Sequence, residues 1–303
     1  MLAREALPLL EEVGDHAGLA HVWEALALGV ANTHGRFEEV AEASRQALRH
    51  AGVGGRRPGD ATEILGMALA MGPRPADEAL RALDALLPES PRPGLLLFRA
   101  YLLALLGRLE EARASLHQLR ERMREIEGLS MWELWAATIA TLEGDHATSA
   151  GHLRAACDQL EARGQRGYLS TFAPELGRSL CALGRYEEAE PLAQLGRELG
   201  VQADVLTQMN WRRAQALVDA HRGGYEEAER LAREAVAIGE QTDALCEQAD
   251  ALCDLAEVLR AAGTDGEAAG ALAQALDRYE RKQNLPMARR IRALLDRETA
   301  GAG

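Results

Sequence analysis

The sequence predicts an all-α solenoid of antiparallel helix pairs, and three observations carry that prediction. The first is a repeat. HGRFEEVAEAS from His34, LGRLEEARASL from Leu106, EGDHATSAGHL from Glu143, LGRYEEAEPLA from Leu183, RGGYEEAERLA from Arg222 and AGTDGEAAGAL from Ala262 share one pattern. Their first glycines, Gly35, Gly107, Gly144, Gly184, Gly223 and Gly263, are 72, 37, 40, 39 and 40 residues apart. The first gap holds two periods, with GPRPADEAL from Gly72 at its midpoint, where prolines rewrite the turn. A fixed period of this length is the signature of a repeat array. The second observation is a set of small residues in register. Ala100, Ala137, Gly177, Ala216 and Ala256 stand seven before the last five glycines, and Ala112, Ser149, Ala189, Ala228 and Ala268 stand five after. Small residues at fixed offsets let paired helices approach closely. The third is the apolar spacing between turns, three and four throughout, with no alternating strand pattern.

Taken in order, residues 1–14 read as an orphan second helix (LAREALPLLEEV over 2–13) of a repeat whose first helix is missing. Seven pairs follow over 16–281: 16–34/36–51, 60–72/75–87, 94–106/108–126, 129–143/145–163, 167–183/185–199, 202–222/224–240 and 242–262/264–281. Each turn glycine allows the chain to reverse between the helices of a pair. Leu28 and Val40 break the small-residue register, which predicts looser packing in the first pair. GVGGRRPG (52–59) and PESPRPG (88–94) read as loops around a distorted second pair. Residues 284–298 form a polar-faced capping helix, and the whole of 1–303 reads as one array. The uncapped N-terminal half-repeat predicts that the sequence begins inside a longer array, and it is a candidate surface for self-association.

Composition excludes more than it assigns. Ala and Leu make up about a third of the chain, a helix-former excess, and Lys282 is the one lysine among 34 basic residues. No glycine precedes a lysine, so no P-loop is present. Lys282 stands between Arg281 and Gln283 with nothing in the sequence to desolvate it, which argues against Schiff-base chemistry. A net charge of −13 is the wrong sign for a nucleic-acid surface. No apolar run is long enough to span a membrane, and the N-terminus has no signal-peptide pattern, so a cytoplasmic location is expected. Cys157, Cys181, Cys246 and Cys253 contain no C-x-x-C pair and read as packed thiols. The histidine spacings offer no metal site.

Two motifs, G-R-Y-E-E-A at 184–189 and G-Y-E-E-A at 224–228, with the small residue seven before the turn, resemble tetratricopeptide repeats. RGYLST (166–171), AERLAREAVAIGEQTDALCEQADALCDLAEVLRAAG (228–263) and ALDRYERKQNLPMARRIRALL (275–295) resemble the C-terminal repeat region of bacterial proteins. Those proteins join an adenylate/guanylate cyclase domain and an AAA-type ATPase to such repeats. The resemblance implies a right-handed superhelix and a regulatory or scaffolding role in signal transduction. The cyclase and ATPase domains are not in this sequence, so their activity does not carry over.

No catalytic motif appears. Glu110/Glu111, Glu187/Glu188 and Glu226/Glu227 open second helices, where carboxylates meet the helix dipole, and Gly177 before Ser179 is a packing residue. The chain reads as a non-enzyme without cofactor or metal. Trp132 or Trp135 is expected in the inter-repeat core, while for Trp211 core and interface readings stand level. The basic group Arg278, Arg281, Arg289, Arg290 and Arg292 reads as solvation of the cap. By analogy with tetratricopeptide repeats, positions 13, 10, 6, 3 and 2 before the turn glycine line a concave groove. They include Tyr101, Thr138, Thr171, Arg178, Asn210, Arg213, His221, Asp250, Glu257 and Arg260, with Tyr168 and Trp211 near the same groove. The expected partner is a protein or peptide. The alternative is a small-ligand sensor near Tyr168, Arg178 and Trp211. An aromatic-lined, closed pocket favours the sensor, and an open polar trough favours peptide capture.

Overall fold

Helices account for most of the described residues, and no strand occurs among them. The computed structural model describes residues 2–55, 60–87, 91–125 and 128–301. The helices are α1 (Leu2–Glu12), α2 (His16–His34), α3 (Phe37–Val53), α4 (Ala61–Met71), α5 (Ala76–Asp84), α6 (Pro93–Leu105), α7 (Leu109–Glu125) and α8 (Leu129–Glu143). They continue as α9 (His146–Ala162), α10 (Arg166–Ala182), α11 (Tyr186–Leu199), α12 (Val205–His221), α13 (Tyr225–Gly239), α14 (Leu245–Ala261), α15 (Asp265–Lys282) and α16 (Leu285–Gly301). Gly52 lies inside α3 rather than in a loop, and 56–59 and 88–90 of the predicted loops lie outside the described residues.

Consecutive helices pack on each other, and among the first helices α2 packs on α4, α4 on α6, α6 on α8, α10 on α12 and α12 on α14, forming an inner layer. The small-residue register explains how closely they approach. Ala100, Ala112, Ala189, Ala216, Ala228, Ala256, Ala268 and Ser149 are fully buried. A Cβ on Gly177 would stand 3.2 Å from the Ala189 carbonyl, so the seven-before and five-after positions face each other across a pair. In the first pair Val40 is fully buried and Leu28 is exposed. The turn glycines all have positive φ, and the paired glutamates at the second-helix starts bond to arginines: Arg108 to Glu111, Arg185 to Glu188 and Arg230 to Glu227.

The array also closes on itself along a seam. The Asp243 carboxylate, between α13 and α14, accepts the first amides of α3, from Phe37 at 2.7 Å and Glu38 at 2.9 Å. Arg36, at the N-cap, supplies no side-chain cap of its own. The Asp243 amide returns a bond to the Gly35 carbonyl at 3.2 Å. Gly35 (φ 57°) is needed there twice, since a Cβ would also stand 2.9 Å from Thr242 Cγ2. Between α4 and α5 the same relation repeats: Lys282 Nζ donates to the carbonyls of Gly72 (2.7 Å) and Arg74 (3.0 Å), and Gln283 Oε1 accepts from the Asp77 amide at the start of α5 (2.9 Å). Both contacts join residues about five periods apart. Lys282 is therefore fully buried, and burial lowers its pKa to about 8. The expectation of an undesolvated lysine is corrected: its surroundings come from α4–α5, remote in sequence. No helix among the described residues is long and apolar enough to cross a membrane.

Candidate functional site

The inner layer lines a half-open cavity of about 520 Å³, with walls from α6, α8, α10, α12 and α14. The last helix covers it. Met287, Arg290, Ile291 and Leu294 of α16 form part of the wall, and Arg290 Nη2 reaches the Leu142 carbonyl at the end of α8, 3.3 Å away. One basic residue of the predicted cap thus serves the C-terminus of a different helix, where a cation is favourable. Its guanidinium also lies against the Gly144 turn, where a Cβ would be 2.9 Å from Nη2.

Eight of the twelve groove residues read from the sequence line this cavity: Tyr101, Thr138, Thr171, Arg178, Asn210, Asp250, Glu257 and Arg260. The position six before the turn glycine is the most regular, since Tyr101, Thr138, Arg178, Leu217 and Glu257 occupy it in five successive repeats and all line the wall. Four residues lie elsewhere. Tyr168 is 56% exposed. His221 stacks on Tyr186 with ring centroids 3.8 Å apart. Trp211 is buried against Arg197 and Arg212 at the floor of an outer hollow. Arg213 is fully buried within the wall. The sequence reading expected Trp132 or Trp135 in the core, where both are buried, and passed over Glu175 and Asp254; Trp135, Glu175 and Asp254 all stand nine before a turn glycine and line the cavity. Adding that offset to the register finds them.

A charged network holds one end. Asp254 accepts from Arg178 Nε (2.9 Å) and Nη2 (3.3 Å) and from Arg213 Nε (2.7 Å). Arg178 Nη1 also bonds Glu175 at 3.0 Å, and Arg213 Nη1 bonds Asn210 at 3.2 Å. Burial alone would raise the Asp254 carboxyl, but the two guanidiniums hold it below the usual range. Glu247 and Asp250 lack that compensation: burial, then the neighbouring Asp250 and Glu175, push Glu247 up to about 7. Burial raises Asp250 against the pull of Arg213 and Arg178. Trp135 meets Tyr101 at 5.0 Å and Phe98 at 5.5 Å between centroids, and Tyr101, Trp135 and Phe172 bring three aromatic faces to the wall.

The four cysteines are free. Burial pushes Cys157, Cys181 and Cys253 up to about 12 and Cys246 to about 11, so each is a protonated thiol at neutral pH. That state is a packing state rather than a nucleophilic one. No group of three or more His, Cys, Asp or Glu among the described residues is arranged to hold a metal ion.

No protein-family model matches the chain, and no curated protein does either. Solved structures do. NprR in complex with its cognate peptide NprX shares 15% identity over 94% of this chain and 89% of that one, with a TM-score of 0.57. A Rap protein complexed with competence and sporulation factor shares 13% over 93% and 87%, TM-score 0.57. A chain of the APC/C hetero-tetramer Cut9–Hcn1 gives a TM-score of 0.62 at 14% identity over 81% of this chain, which spans 44% of its length. A Pyrococcus horikoshii signal transduction ATPase with numerous domains and a tetratricopeptide repeat sensor gives 0.55 at 12%, over 97% of this chain and 53% of that one. Pairwise helix packing, the glycine register and these likenesses agree: the chain has a tetratricopeptide-like α-solenoid fold.

Proposed function

We propose that the chain is a non-catalytic binding scaffold that takes a short peptide segment in the cavity beneath α16. The observation that carries the reading is the cavity itself: about 520 Å³, within the roughly 300–1,000 Å³ of ligand sites, with apolar and hydrogen-bonding walls supplied by five successive repeats. The cognate peptide held by NprR, in a structure of similar fold, supports it, as does the Rap protein that holds competence and sporulation factor. The ATPase carrying a repeat sensor supports a regulatory role beside a signalling ATPase or cyclase. A small-molecule ligand is the second reading, favoured by the covering α16 and the three aromatic faces.

Arg178 and Arg213 are poor probes because both hold Asp254. Thr138 is a better one, since its hydroxyl bonds only the Leu134 carbonyl of its own helix among the described residues. The test is selection of binders from a random heptapeptide library against the full chain, with affinities read by isothermal titration calorimetry. Selected peptides should bind the parent and lose binding to Thr138→Trp at unchanged melting temperature. Undiminished binding by that variant would overturn the cavity as the site. A bound species below peptide mass in native mass spectrometry of the purified chain, displaced by no peptide, would move the reading to the small ligand.

A further inference from the structure

One corner of the cavity holds more hydrogen-bond donors than acceptors. It lies where α8 ends, α9 begins and α16 crosses, and it is built by Thr141, His146, Ser149, Ser179 and Arg290, all of which line the cavity. Arg290 has no carboxylate partner among the described residues. Its guanidinium reaches the Leu142 carbonyl at 3.3 Å and the Met287 sulfur at 3.5 Å, both long contacts. It lies against the Gly144 turn, two residues before His146. Half-buried His146 makes no side-chain hydrogen bond among the described residues, and the charges that reach it are Arg290, Arg178 and Asp145. Burial first, then the two guanidiniums, hold its pKa below the usual range. Asp145 is committed to the start of α9, accepting from the Thr148 amide at 3.0 Å and the Thr148 hydroxyl at 2.6 Å. Three hydroxyls complete the corner: Thr141 donates to Ser149 at 2.9 Å, and Ser149 meets Ser179 at 3.2 Å. Those two bonds use two of the three O–H groups, so one O–H on a buried serine keeps no acceptor among the described residues.

Buried polar groups are seldom left unpaired, and here each unmatched group is a donor. The carboxylates of the cavity are engaged elsewhere. Asp254 and Glu175 are bonded by Arg178 and Arg213, and Glu257 stands by Arg178 and Arg260. Neither Glu247 nor Asp250 is among the charges that reach His146. We propose that this corner takes a carboxylate of the ligand, bonded by the Arg290 guanidinium, the His146 imidazole and the spare serine hydroxyl. Charge selects a monoanion. The wall already holds Glu175, Glu247, Asp250 and Asp254, and a dianion such as phosphate meets twice their repulsion. The apolar remainder of the ligand lies along Tyr101, Trp135 and Phe172. Because Arg290 belongs to α16, a carboxylate shared with His146 also ties the covering helix to α9. The inference rests on the peptide reading above, in which the carboxylate is the peptide's C-terminus or an acidic side chain; a free organic acid shares the chemistry.

The experiment uses the full chain and N-acetylated tripeptide pools. One arm compares a free C-terminal carboxylate with the C-terminal amide; a second, amidated at its end, compares Glu with Gln at one fixed position. Hydrocinnamate and its amide form the free-acid arm. Hydrogen bonds to charged groups are stronger than neutral ones, so in at least one arm the acid should bind about tenfold or more tighter than its neutral partner. Arg290→Gln should cut that preference to within about twofold. His146→Gln should cut it by about threefold, and since its ring bonds nothing it keeps the test if Arg290→Gln loosens α16. Affinity for the neutral partner and the melting temperature of His146→Gln should stay close to the parent. The His146 titration followed by NMR should move up in pH when the acid is bound, because an anion favours the charged ring, and stay in place with the amide. Equal binding of acid and neutral partner in every arm, a preference that survives both variants, or a His146 titration unmoved by the acid overturns the inference while leaving peptide binding intact. Hydrocinnamate binding that both variants weaken, with no peptide pool bound, keeps the carboxylate corner and removes the peptide reading. Binding by no probe removes both.

Discussion

The Asp243 carboxylate caps helix α3 through the Phe37 amide, a bond between residues 206 apart in sequence. Helix N-termini leave their first amides unpaired, and here a loop five repeats later supplies the missing acceptor. Replacing an N-cap acceptor costs about 0.5–2 kcal/mol. Asp243→Ala should lower stability by about that much in urea unfolding, and hydrogen exchange at the Phe37 and Glu38 amides should accelerate before global unfolding. Unchanged exchange at both amides would mean that the seam does not protect the helix start.

Lys282 carries a pH signature of the same seam. Its pKa is depressed from 10.5 to about 8 by burial, so the folded chain releases this proton before the unfolded chain does. The stabilising effect is complete above 10.5 and is lost as pH falls through 8. Between pH 7 and 9 the parent should gain about 1 kcal/mol from this group. Lys282→Met should abolish that gain, yet leave the Gly72 and Arg74 carbonyls without their donor, at about 1–3 kcal/mol. Urea midpoints for the two chains at both pH values check it.

Arg213 is the most buried charge of the cavity wall, and removing one partner of a buried pair costs about 3–5 kcal/mol. Arg213→Met should destabilise by that order. Adding Asp250→Asn should recover part of the loss, because it removes one of the carboxylates left uncompensated. Strict additivity of the two substitutions in denaturant unfolding would show that they do not share a network.

Glu247 should titrate near neutrality. It faces Asp250 on its own helix, Glu175 and Arg178 from α10, and Arg213 from α12, and its pKa stands raised to about 7 from 4.5. For a raised carboxyl, the stabilising contribution is complete below 4.5 and disappears as pH rises through 7. Glu247→Gln should therefore gain on the parent by about 2 kcal/mol between pH 5 and 8. Carboxyl carbon shifts followed by NMR should place the midpoint close to 7; a midpoint near 4.5 would remove the argument for an uncompensated charge.

Close helix approach is testable at Gly196, where an added Cβ would stand 3.0 Å from the Ser170 carbonyl and press on Pro174. Gly196→Ala should cost about 1–3 kcal/mol by overpacking. Gly151→Ala, at a helical position with open space around it, should stabilise by up to about 1 kcal/mol. Thermal melts of both variants give the comparison.

How much was legible in the sequence follows from the reach of each interaction. The turn glycines, the small residues seven before and five after, and the helix pairs were readable because the contacts they serve lie within one period and repeat in every period. The cavity face was readable in part for the same reason: Tyr101, Thr138, Arg178 and Glu257 occupy one register position. Trp135, Glu175 and Asp254 obey a neighbouring offset and were open to the same reasoning. Lys282, Asp243 and Arg290 were not. Each acts on a helix end far from it in sequence, at about five periods for Lys282 and Asp243, and nothing local signals such a pairing. The alanine- and leucine-rich repeat by itself determined an array of closely packed helix pairs, because helix propensity and side-chain volume act over neighbouring turns. Only the tertiary structure decided that the array closes on itself, that its single lysine is buried at the closure, and that α16 covers the inner cavity. Those outcomes depend on how small rotations between successive repeats accumulate until distant turns meet.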